Sequence, residues 1–447
     1  MRRDLFKSCK LIVIAIACFA PIYSAFSQNN NSAERVSQKI IAHFVQQQFD
    51  SIYQMQDKEM KRQLDAKDYE MLWQNFIEKY DTVVNFSFVK TILKDSFVIA
   101  ESKLSFVSKD FLLHITLNKN NQIAGLFFKS PQVEYTPPNY INTLNFIEIK
   151  KKIKTGNISC DGILTLPKNK QKIPLVIIVG GSGPTDKDGS IGVNKPYKDI
   201  AWGLADKGIA VFRYDKRTVN TSIFKNINPT KVNMEFEYLL DLKSIIKQFK
   251  NDKTFSMILI AGHSQGGFMI PYFQTNLSSI SGFIGLSANY SSVVDLLPKQ
   301  LYYLQSLQKD SASKAAINIL IEKANYTALH RAKRDAVQDS LFPGLTPAYI
   351  KHMETNKPEV LINKIMRTPL LFIQGKRDYQ VQPEELVLWQ TALKDACCAK
   401  FVQFEKLNHI LIEGEGVPSP QEYSIQGNVP EYVINEIALW INSLTKN

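Results

Sequence analysis

The sequence predicts an α/β fold with a doubly wound, mostly parallel sheet, preceded by a small α+β module. From about residue 140, apolar runs typical of buried strands alternate with amphipathic helices. Before that point, two amphipathic helices precede four β-rich runs. A cluster of prolines at residues 131, 137 and 138 separates the two patterns, which indicates a boundary there.

The composition is that of a globular protein. The 447 residues are 45% hydrophobic and 21% charged, and the chain is long enough for two or three compact units. The formal net charge is +12, but the Lys and Arg residues are scattered between Asp and Glu. This distribution predicts a solvated surface and excludes a nucleic-acid-binding face. No metal-ligand cluster or nucleotide motif stands out, so we expect no metal and no cofactor.

The first 27 residues are typical of a secretory signal peptide. A basic start is followed by the apolar run Leu11–Ala20 and then by small residues, which predict cleavage before Gln28. That run is too short to span a bilayer comfortably, and no later segment has enough consecutive apolar residues. We expect a secreted or periplasmic protein. Lipid attachment at Cys18, which follows Ala-Ile-Ala, is the alternative.

Three cysteines remain after removal of the signal peptide: Cys160, Cys397 and Cys398. An odd number with two adjacent residues is not a disulfide framework, and at most one bridge can form. We expect these cysteines to be small apolar side chains and not metal ligands.

The N-terminal α+β module is predicted to span residues 28–130, followed by a linker over 131–145. Apolar residues recur at helical spacing over 33–49 and 64–80. The four β-rich runs, separated by short polar turns, cover residues 83–92, 97–107, 111–117 and 123–128.

The α/β domain is predicted to span residues 146–447. A β-hairpin over 146–153 and 158–166 opens it, and the parallel strands are expected at 174–179, 209–214, 256–261, 282–286, 369–374 and 400–405. The intervening helices are expected at 197–207, 234–249 and 431–444. A long, mostly helical stretch at about 288–365 interrupts this alternation, and an insertion of this kind is usually a lid.

A nucleophile motif stands at the end of the strand 256–261. The run Gly262-His263-Ser264-Gln265-Gly266-Gly267 has the Gly-x-Ser-x-Gly pattern, with a strand before it and helical residues after it. The glycines allow the backbone to turn sharply, and the turn presents the serine oxygen above the sheet. We therefore predict Ser264 to be a catalytic nucleophile.

A serine nucleophile needs a base that is held by a carboxylate, in the chain order Ser, acid, His. His409 follows a late core strand, whereas the other histidines lie in the module, the motif or the insertion: His43, His114, His263, His330 and His352. Asp378 follows the strand 369–374, in the loop at its carboxyl end. We predict His409 as the base and Asp378 as the residue that orients it.

An oxyanion intermediate requires two backbone N–H donors. The first is expected from Gln265, which follows the nucleophile. The second is expected from the loop Gly180-Gly181-Ser182-Gly183-Pro184, where the choice between Gly181 and Ser182 stays open. A glycine-rich loop could instead bind phosphate, but this one lacks the Lys-Ser/Thr of a P-loop and the Gly-x-Gly-x-x-Gly fingerprint.

Three segments together resemble a known family: Gly180-Gly-Ser-Gly-Pro-Thr-Asp-Lys-Asp-Gly189, Phe212-Arg-Tyr-Asp-Lys-Arg217 and the run 262–267. They are similar to bacterial α/β-hydrolase esterases related to the prolyl-oligopeptidase group and to acyl-CoA thioesterases, and the likeness covers about residues 145–447. It implies hydrolysis of carboxylic esters, with Ser264, Asp378 and His409 on the triad positions. Gln265 stands where many relatives have Glu, which implies an altered pocket charge. Other matched residues are expected to fix loops by ion pairs: Asp186, Asp188, Asp215 and Arg217.

The expected function is hydrolysis of a small-molecule ester through an acyl-enzyme. The same triad could act on peptides or acyl thioesters. In a different class of function, the protein could be a binding module with vestigial chemistry. The sequence determines neither the acyl group nor the oligomeric state, because side chains of the insertion would shape the acyl pocket and fold analogy does not supply a substrate.

Overall fold

The strands form two separate sheets, and the chain divides into two compact units, residues 1–132 and 133–447. The computed structural model describes residues 29–129, 134–168, 171–228, 231–330 and 346–445. The predicted signal peptide and Cys18 lie outside the described residues. Within the described ranges, no helix combines the length and the apolar character needed to cross a membrane.

Over residues 29–129, the N-terminal unit has four helices followed by an antiparallel meander. The helices are α1 (Asn29–Val45), α2 (Phe49–Gln54), α3 (Lys58–Lys61) and α4 (Ala66–Tyr80). The strands β1 (Val83–Lys94), β2 (Phe97–Phe106), β3 (Asp110–Leu117) and β4 (Ile123–Lys129) pair in sequence order. The first helix was expected to reach residue 49, but Gln47 adopts a positive φ of 56° that a helix cannot contain, so α1 ends at Val45.

The second unit begins with β5 (Phe146–Thr155), β6 (Ile158–Pro167) and β7 (Ile173–Val179). Helices α5 (Pro196–Asp206), α6 (Leu240–Phe249), α7 (Gln265–Phe268) and α8 (Ile270–Asn276) then alternate with β8 (Ala210–Tyr214), β9 (Phe255–His263) and β10 (Gly282–Leu286). The unit ends with β11 (Leu370–Gly375), α13 (Glu384–Ala392), β12 (Ala399–Phe404) and α14 (Glu431–Leu444). The expected elements are therefore present, with bounds that differ by a few residues.

The described part of the insertion between β10 and β11 contains four α-helices: α9 (Val293–Ser306), α10 (Ser311–His330), α11 (Pro347–Thr355) and α12 (Pro358–Leu361). Outside the insertion, a second helix also departs from expectation. The predicted helix 234–249 starts as a π-helix over Glu235–Leu239 before it continues as α6. Such π-turns are rare and often occur at functional sites.

The large sheet has the order β12-β11-β10-β9-β7-β8-β6-β5, and among these strands β6 alone runs opposite to the rest, because it pairs antiparallel with both β8 and β5. Every residue of β7 is buried, because helices cover both faces of the sheet. The fold class expected from the sequence, an α/β-hydrolase sheet with a helical insertion and a small α+β unit before it, is confirmed.

The strand order also marks the place where a site should form. After β7 the chain builds β8 on one side of β7, and it then crosses to build β9 on the other side. Parallel sheets bind ligands at such switch points, beyond the carboxyl ends of the strands. The loop after β7 and the turn after β9 therefore meet at this edge.

Candidate active site

The turn after β9 is sharp and strained. Ser264 has φ 53° and ψ −122°, a conformation that non-glycine residues adopt only where the surrounding structure imposes it. A Cβ on Gly262 would lie 2.2 Å from the carbonyl oxygen of Gly266, and a Cβ on Gly266 would lie 2.6 Å from that of Val179. Both distances are far inside van der Waals contact, so this backbone requires glycine at each position. The chain then enters α7, which begins at Gln265.

A histidine–carboxylate pair lies at the same sheet edge. The Nδ1 atom of His409 is 2.8 Å from Oδ2 of Asp378, and both side chains are buried. The carboxylate is held from three further directions, since the backbone N–H groups of Gln380 and Val381 donate to Oδ1 and the amide of Gln374 donates to Oδ2. Because an ionised carboxylate only accepts hydrogen bonds, Nδ1 of His409 carries the proton of the neutral ring. The Nε2 atom is then left with a lone pair that can accept a proton.

His263 connects the turn to the loop of His409. Its Nε2 atom lies 2.8 Å from the backbone carbonyl oxygen of His409, which can only accept, so Nε2 donates. Its Nδ1 atom accepts from the hydroxyl of Tyr197 at 2.9 Å. Burial, with a smaller contribution from His409, lowers the pKa of His263 to about 3. His263 is thus a neutral ring that holds the His409 backbone near Ser264.

The Ser264 hydroxyl itself makes no hydrogen bond to any side chain or backbone group in the described part of the chain. The side chain of His409 binds Asp378, and the backbone carbonyl of His409 binds His263, the residue that precedes Ser264. Hydrogen bonds between a nucleophile and its base are often long without a substrate and shorten in the reactive complex.

The loop after β7 lies against the serine. A Cβ on Gly181 would lie 3.1 Å from the Cβ of Ser264. The carbonyl oxygen of Gly181 accepts hydrogen bonds from Nζ of Lys216 at 2.6 Å and from the hydroxyl of Tyr238 at 2.9 Å. Among the hydrogen bonds of the described residues, none uses the N–H of Ser182. The N–H of Gln265 also has no partner within α7, because it belongs to the first turn.

The residues matched by the resemblance hold the surrounding loops, three of them through ion pairs. Asp188 pairs with Lys195 and Arg213, and Asp215 pairs with Lys187. Arg217 forms a fully buried pair with Asp241. Asp186 differs from expectation, because its carboxylate accepts the backbone N–H groups of Asp188 and Ser190 and so closes the loop.

Comparison with known proteins places the chain in a family. Residues 189–413 match the family described as "Serine aminopeptidase, S33", and residues 37–126 match a "Protein of unknown function (DUF3887)". Esterase EstD from Thermotoga maritima is 31% identical over 402 residues, which cover 90% of this chain and 93% of that protein. The chain belongs to the α/β-hydrolase esterases. The match to EstD extends through both units.

Solved structures of two further esterases are similar to this α/β-hydrolase. Est1E from Butyrivibrio proteoclasticus is 18% identical with a TM-score of 0.43, over 67% of this chain and 99% of that one. An esterase from Pyrococcus furiosus is 16% identical with a TM-score of 0.43, over 70% of this chain and 98% of that one.

Sequence reasoning did not single out Lys216, Tyr238 or Tyr349 at this site. The position of Lys216 could have indicated its role, because it follows β8 in the segment 212–217 and therefore lies at the same sheet edge as the turn. Tyr238 and Tyr349 gave no such indication, because aromatic residues in amphipathic helices most often only fill the core.

Proposed function

We propose that the protein is a serine hydrolase that cleaves carboxylic esters through an acyl-enzyme on Ser264. The observation that carries the proposal is the His409–Asp378 pair at 2.8 Å, together with the strained turn that presents Ser264 at the same edge of the sheet. A histidine with a free Nε2 and a serine on a nucleophile elbow supply what acyl transfer requires.

In the first half of the reaction, Nε2 of His409 takes the proton of the Ser264 hydroxyl while Oγ bonds to the ester carbonyl carbon. The carbonyl oxygen becomes an oxyanion, which the N–H groups of Ser182 and Gln265 stabilise. The tetrahedral intermediate then collapses, the bond to the alcohol oxygen breaks, and His409 returns the proton to the departing alkoxide. The products of this half are the alcohol and an acyl-serine.

In the second half, water replaces the alcohol. His409 takes a proton from the water as its oxygen bonds to the acyl carbon, and the new oxyanion occupies the same two N–H donors. Collapse breaks the bond to Oγ, and His409 returns the proton to Ser264, releasing the carboxylic acid. Asp378 keeps Nδ1 protonated throughout and stabilises the imidazolium that forms in each half.

Peptide hydrolysis is the second candidate, because the family match over 189–413 is described as a serine aminopeptidase. Ester hydrolysis has broader support than peptide hydrolysis, because the protein named Esterase EstD is similar over 90% of this chain. The test is a substrate panel of p-nitrophenyl esters of graded acyl length, an acyl thioester and aminoacyl p-nitroanilides. We expect the highest kcat/KM on an ester, and faster cleavage of an anilide would overturn the ester assignment.

The Ser264→Ala variant is the matched control for that panel. We expect it to fold and to lose about 10⁴- to 10⁶-fold in kcat, because the serine, histidine and aspartate act as a unit. A folded Ser264→Ala variant with near-normal turnover would overturn the proposed nucleophile.

We further propose that the protein is exported after cleavage before Gln28. The support is the basic start and the apolar run Leu11–Ala20. N-terminal sequencing of protein from the native host tests this proposal. A mature chain that begins at Gln28 is expected, whereas a lipidated chain that begins at Cys18 would show membrane anchoring.

A further inference from the structure

A buried lysine binds the backbone of the loop that faces Ser264. Lys216, which is only 2% exposed, donates from Nζ to the carbonyl oxygen of Gly181 at 2.6 Å. The same ammonium lies 2.6 Å from Oε1 of Glu237, which is its counter-charge. The hydroxyl of Tyr238 also donates to the Gly181 carbonyl, at 2.9 Å. This carbonyl oxygen thus receives two hydrogen bonds, one of them from a cation.

The bonds to Gly181 set the direction of the next N–H group. In a trans peptide the C=O and the following N–H lie in one plane and point in opposite directions. Lys216 and Tyr238 therefore fix the Gly181–Ser182 peptide with the N–H of Ser182 directed away from them. Gly181 itself lies beside Ser264, since a Cβ added to it would be 3.1 Å from the serine Cβ.

The network continues to the side chain of Gln265, the residue that carries the second proposed donor. Oε2 of Glu237 accepts a hydrogen bond from the hydroxyl of Tyr349 at 2.5 Å. That hydroxyl in turn accepts from the side-chain amide of Gln265 at 3.2 Å. All three side chains are buried. Tyr349 lies on α11, so the insertion contributes a polar residue to this chain of bonds.

The structure assigns Lys216 and Tyr349 as positioning residues of the oxyanion hole. This inference rests on the proposed function: Lys216 holds and polarises the Gly181–Ser182 peptide, while Glu237 and Tyr349 bind the side-chain amide of Gln265, the residue whose backbone N–H is the second donor. A cation on a peptide carbonyl in a low-dielectric interior makes the N–H of that peptide a stronger donor. One network of side chains thereby links the peptide that carries the first donor to the residue that carries the second, although the two lie more than 80 residues apart.

A purely structural role explains Lys216 less well. Burying an ammonium is costly, and a buried ion pair can often be replaced by apolar side chains without loss of stability. The Gly181 carbonyl is already satisfied by the hydroxyl of Tyr238. A lysine there adds a positive charge, and the charge is useful where negative charge develops on the substrate during reaction.

The test is a pair of double variants that remove matched ion pairs. Lys216→Met/Glu237→Gln removes both charges of the network and leaves no unpaired ion. The control is Arg217→Met/Asp241→Asn, which removes a buried pair formed by the next loop residue and the same helical segment. In the described residues, the hydrogen bonds of that control pair reach neither Gly181 nor Gln265.

Steady-state kinetics on a p-nitrophenyl ester and inhibition by a trifluoromethyl ketone are measured for each folded variant. The ketone forms a tetrahedral oxyanion with a serine nucleophile. We expect Lys216→Met/Glu237→Gln to lower kcat by about 10- to 100-fold with little change in KM. The inhibition constant of the ketone should rise by a similar factor, because only the oxyanion loses stabilisation. The control should keep kcat within about twofold of wild type even where its melting temperature falls.

A folded Lys216→Met/Glu237→Gln variant with wild-type kcat would overturn the inference, as would an equal loss of kcat in the control. If the double variant does not fold, Tyr349→Phe decides, since it removes one hydroxyl and should still lower kcat several-fold at constant KM. A wild-type kcat for folded Tyr349→Phe would then overturn the inference. Ser264→Ala distinguishes failure of this inference from failure of the proposed function. If Ser264→Ala is inactive while the network variants are fully active, only this inference fails. If Ser264→Ala is active, both the inference and the proposed function fail.

Discussion

The Nε2 atom of His263 donates a hydrogen bond to the backbone carbonyl of His409 over 2.8 Å, although the two residues are 146 positions apart. His263 directly precedes Ser264, so one ring fixes the proposed base relative to the proposed nucleophile. The hydroxyl of Tyr197 donates to Nδ1 of the same ring, which is possible only while the ring is neutral. Protonation of His263 would give Nδ1 a hydrogen that opposes this contact.

The buried, neutral ring of His263 predicts that the folded protein loses stability in acid. Burial lowers the pKa of His263 to about 3, whereas a histidine in the unfolded chain has a pKa of about 6.5. Between these values the unfolded chain holds one more proton than the folded protein, so the free energy of unfolding falls as the pH decreases. His263 changes the free energy of unfolding by up to about 1.4 kcal/mol per pH unit, and thermal melts from pH 7 to 4.5 measure this change.

The control for those melts is His263→Asn, which has no titrating ring. We expect this variant to be less stable than wild type at pH 7 but to lose less stability on acidification. Asp199, whose pKa burial raises to about 6, acts in the opposite direction, since its contribution is lost as the pH rises through 6. Asp199 is present in wild type and in His263→Asn, so its contribution cancels when their pH slopes are compared. Equal pH slopes for the two proteins would contradict the role given to His263.

The second prediction concerns Asp378→Asn. The Asn oxygen can still accept the backbone N–H groups of Gln380 and Val381, which leaves its NH₂ group facing His409. The imidazole must then accept at Nδ1 and carry its proton on Nε2, where it cannot act as a base. We expect kcat to fall about 10³- to 10⁴-fold with the fold retained, as measured by ester turnover and circular dichroism.

Asp161→Asn is the matched control for that substitution. Its carboxylate forms an exposed pair with Lys152, and exposed pairs contribute little to stability. We expect wild-type turnover from it. If Asp378→Asn were equally active, another residue would have to orient the base.

The approach of Asp378 and His409 follows from the sequence, because each residue comes shortly after a strand. Those strands, β11 and β12, are parallel neighbours, so their carboxyl ends meet at one edge. The turn at Ser264 follows equally from its glycines and the strand before it. Local patterns determine where strands end, and the ends of parallel strands determine which loops meet.

The network around Lys216 could not be predicted in this way. It joins residues from five segments, the loop after β7, the loop after β8, the π-helix, α7 and α11, and their approach depends on how the insertion packs. The π-helix itself has no clear sequence signal, since its apolar residues fit an ordinary amphipathic helix. The bond from His263 to a backbone carbonyl is also invisible to residue patterns, because every residue has a carbonyl.

The third prediction distinguishes the three cysteines described in the structure. Burial raises the pKa of Cys160 to about 12, whereas Cys397 and Cys398 are exposed. The thiolate is the reactive form, so iodoacetamide should alkylate Cys397 and Cys398 in the reduced, folded protein and spare Cys160. Peptide mapping should show this labelling pattern together with unchanged ester turnover. Loss of turnover in step with labelling of any cysteine would point to a thiol nucleophile.

The fourth prediction is that the N-terminal unit is dispensable for turnover of a small soluble ester. Ser264, Asp378, His409 and the proposed N–H donors all lie after residue 180. The cut should follow residue 132, because the hydroxyl of Tyr135 donates to the buried Asp199 at 2.6 Å and belongs to the second unit. A variant that lacks residues 28–132 should fold, as judged by circular dichroism, and retain much of the wild-type kcat/KM. A folded but inactive variant would overturn this prediction.

Labelling with a fluorophosphonate tests directly whether Ser264 is the nucleophile that forms a covalent intermediate. The reagent phosphonylates a serine only where a base activates its hydroxyl and an oxyanion hole receives the phosphoryl oxygen. We predict one adduct per chain, which tandem mass spectrometry locates on Ser264, with complete loss of ester turnover and no adduct on Ser264→Ala. An adduct on a different residue, or full ester turnover in protein that carries the adduct on Ser264, would rule out Ser264 as the nucleophile of ester hydrolysis.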